Sequence, residues 1–377
     1  MDRSDRREGR LGGARRGLAE LRRRLAWLEP PPRLVDASLL AAVVALLATG
    51  MVSLVTGRPA GAWVFDIHAV AGVATVVLLG WKLRRVRHRL SPGALDGTRA
   101  LSALLALVSA AALATGIWWV FGGRLDLGPW GLLNLHIGLG LAVPVLLVLH
   151  LRQRLALPTR ETVASRRNAL RYAAVVGSGA LVWRGQEAVN AALDTAGARR
   201  RFTGSRPTGS DDGNAFPVTS WVADDPDPVD RDSWTLTVSG VGADPLELSY
   251  DAVTASRASG GDGSEPDAGG DSAPAPSGTR ALLDCTSGWY SEHDWQGVRV
   301  GDLLDAAGAE RVDGSDGERA EWVQFRSVTG YRWSLPVEEA RDALLATHVD
   351  GEPLSHGHGA PLRLVAPGRR GFQWVKW

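Results

Sequence analysis

The chain holds one cysteine, Cys285, and eight histidines, and these carry most of the chemistry its side chains can offer. Cys285 follows the short apolar run Ala281-Leu282-Leu283 and, after Asp284, precedes Thr286-Ser287-Gly288, so it stands where a strand gives way to a loop. A thiolate placed there can face a cavity. A small buried hydrophobe, the usual fate of a free cysteine, is the other reading, and the local sequence leaves both open. No second cysteine competes for the thiol, and cysteine usage carries no message about redox compartment.

Three histidines, His68, His136 and His150, stand in or at the ends of long apolar runs, where an ionisable residue is a functional candidate by default. The first two occupy equivalent places in an internal repeat. Leu47-Ala-Thr-Gly50 recurs as Leu113-Ala-Thr-Gly116, and Gly57-Arg58 as Gly123-Arg124; His68 with Gly72 recurs as His136 with Gly140, and Arg84 as Arg152. A duplicated helical hairpin brings both histidines to one depth on helices running the same way, a few residues inside the interface marked by Trp63 and Trp130. Two imidazoles facing at equal depth are what a bis-histidine haem b needs; interhelical hydrogen bonding is the plainer use of the pair. His150 lies about 21 Å deeper than His136 and about 40° off its face. Its repeat mate, however, is Lys82, and His88 falls near the opposite face. One haem is expected, with His150 retained as a further candidate iron ligand that has no identified partner.

The elements that must position these residues differ between the two halves. Residues 1–203 carry 28 Lys+Arg against 12 Asp+Glu, and residues 204–377 carry 14 against 29, so the net charge of +1 conceals a bipolar chain. Nothing in this pattern calls for a nucleic-acid partner. After an Arg-rich tail at 1–33, four apolar spans at about 34–55, 63–82, 100–121 and 131–151 each approach the ~20 residues that cross a bilayer. Basic loops at 82–90 and 152–171 place the N-terminus and both loops in the cytoplasm. Ser165-Arg166-Arg167-Asn-Ala-Leu170 with the moderately apolar 173–183 resembles a twin-arginine export signal, and the segment 165–190 reads equally as a fifth transmembrane helix. Either reading makes this a multi-pass cell-membrane protein whose C-terminal domain is extracytoplasmic. Residues 191–213 read as a linker, and the acidic, Gly/Ser/Pro-rich 255–278 as a disordered insertion.

In the last segment, Cys285, Gly288-Trp289, Trp295-Gln-Gly297-Val298, Val323-Gln-Phe325-Arg-Ser327, Gly330-Tyr331, Gly351-Glu-Pro353-Leu354, His358-Gly359-Ala-Pro361-Leu-Arg363-Leu-Val365 and Lys376-Trp377 follow one another in fixed order. This set resembles the molybdopterin-binding domain of the sulfite oxidase family, whose branches include the catalytic subunit of the periplasmic methionine sulfoxide reductase. The resemblance covers roughly 214–377 and implies an α+β domain of sulfite oxidase fold after the α-helical membrane bundle. It implies a molybdenum-molybdopterin cofactor with Cys285 as thiolate ligand, a role that suits a soft donor. It carries cofactor contacts onto Asn214, Phe216, His358, Arg363 and Lys376, with Arg369 and Arg370 as nearby candidates. Tyr331 and Trp289 are candidates for the substrate funnel, Tyr331 also for catalysis.

Within the domain, Trp234–Val238 and Trp322–Phe325 alternate like half-buried strands, while Val300–Ala307 and Val337–Leu345 read as helices. The histidine pair resembles b-type cytochrome subunits that partner membrane oxidoreductases. Together these imply a membrane-anchored enzyme exchanging electrons between the quinone pool and a small sulfur- or oxo-compound, in the direction of sulfoxide reduction. Sulfite oxidation, a haem-free molybdopterin protein and an electron-transfer cytochrome are the alternatives.

Overall fold

The structure is a computed structural model that describes residues 30–87, 97–127, 130–154, 165–220, 224–240, 244–255, 277–308 and 320–377. The basic tail up to residue 29, His88, most of the 152–164 loop and residues 256–276 of the insertion lie outside the described residues. The chain divides into two compact units. One covers residues 1–53 and 62–198, the other 54–61 and 199–377.

The first unit is helical. Helices α1 (Pro32–Val55), α2 (Trp63–Val86), α3 (Gly97–Val120) and α4 (Leu132–Arg154) fall on the four expected spans, and all four are long and apolar enough to cross a membrane. Their outward surfaces carry Val44, Met51, Leu107, Val145 and Val148, all more than half exposed. Such a surface suits hydrocarbon, where a helix satisfies its own backbone groups. Trp63 and Trp130 are likewise exposed near the starts of α2 and α4, as interfacial anchors are.

Residues 166–192 form one continuous helix, α5 (Arg166–Ala192), which is not among the helices long and apolar enough to span. It packs on its neighbours through polar contacts. Trp183 Nε1 donates to Asp66 Oδ1 at 2.9 Å, and Asn190 Nδ2 donates to the Val120 carbonyl at 2.9 Å.

Two short strands, β1 (Asp126–Leu127) and β2 (Trp130–Gly131), pair in the first unit, and in the second a six-stranded sheet positions the cysteine. Its strands are β3 (Arg206–Pro207), β6 (Ser277–Cys285), β7 (Trp289–Arg299), β10 (Leu344–Val349), β11 (Glu352–Pro353) and β12 (Arg363–Val365). The path runs β11-β10-β7-β3, with β12 on β10 and β6 on β7, and only the β3–β7 pairing is parallel. Two hairpins stand apart from this sheet, β4 (Thr235–Val238) with β5 (Leu246–Ser249), and β8 (Trp322–Arg326) with β9 (Arg332–Pro336).

Helix α6 (Tyr250–Ala255) follows β5, the expected helix over 300–307 is α7 (Val300–Ala306), and the expected helix over 337–345 ends early, as α8 (Val337–Arg341). From Leu344 the chain becomes β10, because Leu344-Leu345-Ala346-Thr347 is buried on both faces, the pattern of a central strand. The core gathers around Trp295, which has no exposed surface and donates its indole N–H to the Ala281 carbonyl at 3.0 Å.

Residues 200–214, read from composition as part of a tether, are packed instead. Arg206 N donates to the Gly288 carbonyl and Thr208 N to that of Tyr290. Thr203 and Ser205 are buried against Asp284. Composition misses this because the contacts are hydrogen bonds to one buried carboxylate rather than apolar burial.

The sheet tolerates no side chain at Gly297, where a methyl group would lie 1.9 Å from the Leu345 carbonyl oxygen and 2.7 Å from Ala346 Cα. Gly297→Ala is expected to force β7 from β10 and destabilise the domain by about 3 kcal/mol, the upper range for overpacking, read as a lowered midpoint in thermal unfolding of the full chain.

Candidate functional site

Cys285 ends β6 and pairs across the hairpin with Trp289, the first residue of β7. Thr286-Ser287-Gly288 closes the hairpin as a three-residue loop. Gly288 takes the left-handed conformation (φ 91°) that such loops need at their last position, and its N–H donates to the Cys285 carbonyl at 3.0 Å. Cys285 is 6% exposed. Around the sulfur stand Ser287 Oγ at 3.4 Å, Ser287 N at 3.5 Å and Thr219 Oγ1 at 3.5 Å.

Strand alternation sends Asp284 to the opposite face, where it is 2% exposed. It accepts hydrogen bonds from Thr203 Oγ1 (2.8 Å) and Ser205 Oγ (2.6 Å), pairs with Arg370 at 2.7 Å and lies 3.4 Å from Arg201 Nε. Arg370 also reaches from there to the Cys285 carbonyl at 3.3 Å.

Three cations, Arg363, Arg370 and Lys376, lie close enough to Cys285 that its thiolate favours their charged forms. Arg370 is balanced by Asp284. Arg363 and Lys376 have no carboxylate within ion-pairing distance among the described residues. Burial holds Arg363 well below the usual range, at about 10, and Lys376 at about 8, where neighbouring Arg363 lowers it further.

Arg363 donates to the His358 carbonyl at 2.8 Å and sits among the rings of Trp295, Trp374 and Phe216, 5.6–6.0 Å from their centroids. Lys376 Nζ donates to the carbonyls of Thr219 (3.0 Å) and Gly357 (2.9 Å) and to Ser220 Oγ (2.9 Å). Five buried donors near this cluster, Arg363 Nε, Arg370 Nε, Trp289 Nε1, Trp374 Nε1 and Gln373 Nε2, have no acceptor among the described residues. Buried N–H groups beside unbalanced cations fit an anionic, acceptor-rich group such as a phosphorylated, metal-bearing pterin.

The expected residues divide accordingly. His358 (3% exposed) donates through Nε2 to the Phe216 carbonyl at 2.8 Å, and its Nδ1 meets Ser355 Oγ at 2.7 Å. The Phe216 ring packs against that of His358, centroids 3.9 Å apart and planes tilted by 50°. Asn214 ties the same loop down, accepting from Ser355 N and donating to the Pro353 carbonyl, and presents no free group. Tyr331 donates its hydroxyl to the Phe372 carbonyl at 2.6 Å, so that hydroxyl supports the turn next to Cys285. Arg369 is bound in a bidentate pair with Glu339 at 2.5 Å, which accounts for its charge.

Sequence reading missed Asp284, Thr219 and a buried chain in which Ser291 Oγ meets His293 Nε2 (2.5 Å) and His293 Nδ1 meets Asp350 (2.6 Å). Ser291 and His293 have no exposed surface, so the chain braces the Phe216 loop rather than meeting a substrate. Its one sequence signal is the period-two spacing of Ser291 and His293 on β7.

In the helical unit, the rings of His68 and His136 stand 6.3 Å apart, centroid to centroid, at 78°. His150 is not part of the pair. Its Nδ1 meets Ser102 Oγ at 3.2 Å, and the repeat-equivalent contact joins Lys82 Nζ to Asp36 Oδ1 at 2.9 Å.

Comparison with known proteins bears on residues around Cys285. The family model described as oxidoreductase molybdopterin binding domain matches residues 223–377. A relative from Bacillus subtilis, described as uncharacterized oxidoreductase YuiH, is 30% identical over 166 residues, 43% of this chain and 71% of the relative. The protein-methionine-sulfoxide reductase catalytic subunit MsrP of Xanthomonas campestris is 36% identical over 104 residues, 25% of this chain and 32% of that protein. A sulfite oxidase of Arabidopsis thaliana is 35% identical over 95 residues, 22% of this chain and 24% of that protein. The chain thus spans about a third or less of the length of these last two.

Burial holds His358 at about 4, against 6.5 when exposed, with the charges of Arg363 and Lys376 reinforcing the effect against its hydrogen bond to Phe216. A lowered native pKa means that the unfolded chain binds the proton first as pH falls. The His358 contribution to stability should therefore be constant above about pH 6.5 and decline as pH falls from 6.5 to 4, and this acid slope should be lost in His358→Gln, as followed by unfolding midpoints across pH.

Proposed function

The chain belongs to the oxidoreductase molybdopterin-binding domain family, and from that premise we propose a membrane-anchored molybdenum enzyme that takes electrons from the quinone pool through a haem b and delivers them to a small extracytoplasmic sulfoxide. The observation that carries this reading is the buried Cys285 beside Arg363 and Lys376, cations without a carboxylate partner among the described residues. When bound, the cofactor supplies two-electron oxo-transfer chemistry.

The chain's own residues bind and orient. Cys285 would hold the metal through its sulfur, which the Thr219 and Ser287 hydroxyls surround. Arg363 offers Nε, and Trp289 and Trp374 their indole N–H groups, to the cofactor's anionic and carbonyl acceptors. Lys376 adds a point charge that also fixes the 219–220 loop over the sulfur. His358, neutral at physiological pH, holds the Phe216 backbone, so the wall of the site does not change charge there.

His68 and His136 hold the haem iron. Two features support one haem rather than two: the paired rings at the outer level, and Lys82 tied to Asp36 at the place equivalent to His150. The membrane unit favours the reductive direction, since it gives the catalytic domain its own electron supply.

Metal analysis of the purified full chain should give one molybdenum and one haem. Cys285→Ser should abolish turnover with sulfoxide or sulfite while leaving the haem spectrum unchanged, because a serine oxygen is a harder and poorer ligand in a sulfur-rich set. His68→Ala and His136→Ala should each remove the low-spin b-type spectrum, with the molybdenum content retained. Full activity in Cys285→Ser would take the cysteine off the metal.

A further inference from the structure

The repeated Leu-Ala-Thr-Gly motif has no role in the function described so far, yet both copies meet a histidine. Thr49 on α1 places Oγ1 2.9 Å from His68 Nδ1 on α2. Thr115 on α3 places Oγ1 3.4 Å from His136 Nδ1 on α4, and that nitrogen is also 2.9 Å from the Ala112 carbonyl one turn back. The same contact, made between equivalent helices in two copies of a hairpin, is a repeated device of the fold.

The geometry fixes the direction of these hydrogen bonds. Thr49 has one hydroxyl hydrogen and donates it to the Ala45 carbonyl at 2.7 Å, with the Leu46 carbonyl at 3.2 Å. Toward His68 it is therefore an acceptor, and His68 Nδ1 carries the proton. The Ala112 carbonyl can only accept, so His136 Nδ1 carries a proton as well. Both rings are then Nδ1–H tautomers, and each keeps the Nε2 lone pair. Fixing the tautomer of a ligand by a hydrogen bond at its other nitrogen is how an outer shell prepares an imidazole for a metal.

The glycine after each threonine completes the seat. A methyl group built on Gly116 would lie 2.9 Å from His136 Cε1 and 3.2 Å from its Nδ1, too close to keep the ring where it is. On Gly50 it would lie 3.7 Å from His68 Cε1, an ordinary contact.

We propose that Thr49 and Thr115 are positioning residues that hold His68 and His136 with Nδ1 protonated and Nε2 committed to iron, and that Gly116 is required to seat His136. The inference rests on the haem reading above and deepens it.

The test uses the full chain in detergent, with haem affinity measured by titrating haem into haem-depleted protein and axial ligation read from the electron paramagnetic resonance of the oxidised haem. Thr49→Val and Thr115→Val keep side-chain shape and remove only the acceptor. Thr49→Val should weaken haem binding about 10–100-fold, the usual cost of losing an outer-shell partner, and shift the low-spin g-values; Thr115→Val should do both to a smaller extent, because the Ala112 carbonyl still accepts from His136 Nδ1. Thr→Ser at either site should restore both. Gly116→Ala should behave like Thr115→Val, while Gly50→Ala should match the parent.

Valine variants that bind haem with parental affinity and unchanged g-values overturn the inference. So do serine variants as impaired as the valines, or equal effects of the two glycine substitutions. Should His68→Ala lose haem while the valine variants keep it, only the positioning role falls; a parent chain that binds no haem removes the haem reading and this inference together.

Discussion

A guanidinium buried in a protein interior needs an anion, and the C-terminal domain is arranged around one that lacks it. Arg363 is 6% exposed at the start of β12, with the rings of Phe216, Trp295 and Trp374 around it and the His358 carbonyl accepting from it. Rings and a carbonyl offset part of the desolvation, but isolated ions in such a setting cost several kcal/mol. Nearby, Lys376 is held by carbonyls and a hydroxyl, and Arg370 is the member of the group that has its carboxylate. A site of this kind is incomplete as a protein. It is stable enough to persist because the surrounding scaffold over-determines it, and it gains from any ligand that brings negative charge and acceptors.

That scaffold depends on one step of strand alternation. Asp284 and Cys285 are adjacent in β6, so their side chains leave opposite faces of the sheet. The aspartate gathers Arg370, Thr203, Ser205 and Arg201 and so fastens the segment entering the domain to the turn near its C-terminus. The cysteine faces the cations. Removing the carboxylate would leave Arg370 buried and unbalanced and would loosen the backbone that carries the sulfur, so the structural and the chemical residue cannot be exchanged or separated.

Much of this was legible in the sequence, and the limits have physical causes. Four apolar runs of near bilayer length fixed α1 to α4 to within a few residues, since length and hydropathy are set by the solvent rather than by tertiary contacts. Cys285 at a strand end followed from Leu283 and Gly288. Residues 200–214 did not, because Thr203 and Ser205 look like solvated polar residues until Asp284 is placed beside them. The helix expected over 337–345 failed at Leu344 because an apolar run of that length is ambiguous, and burial on both faces decided for strand. Arg369 and Arg370 were indistinguishable from phosphate ligands by position alone; their partners Glu339 and Asp284 are 30 and 86 residues away in the chain.

The helical unit shows what a duplication leaves free to change. Each hairpin carries two cross-helix contacts at repeat-equivalent places. The outer one is kept in both copies, Thr49 with His68 and Thr115 with His136. The inner one has diverged into Lys82 with Asp36 in the first copy and His150 with Ser102 in the second. A lysine engaged by a carboxylate is no counterpart for an imidazole across an iron, so on the proposed reading the symmetry that pairs His68 with His136 is broken where a second pair would stand. The contact itself survived the change of chemistry: a cation or imidazole on the later helix still meets an oxygen on the earlier one. Helix packing therefore constrains that a polar bridge be present at each level, while the identity of the bridging residues decides whether the level can hold a metal. On the proposed reading this confines the haem to the outer level and leaves the inner bridge as the part of the duplicated hairpin released from iron binding.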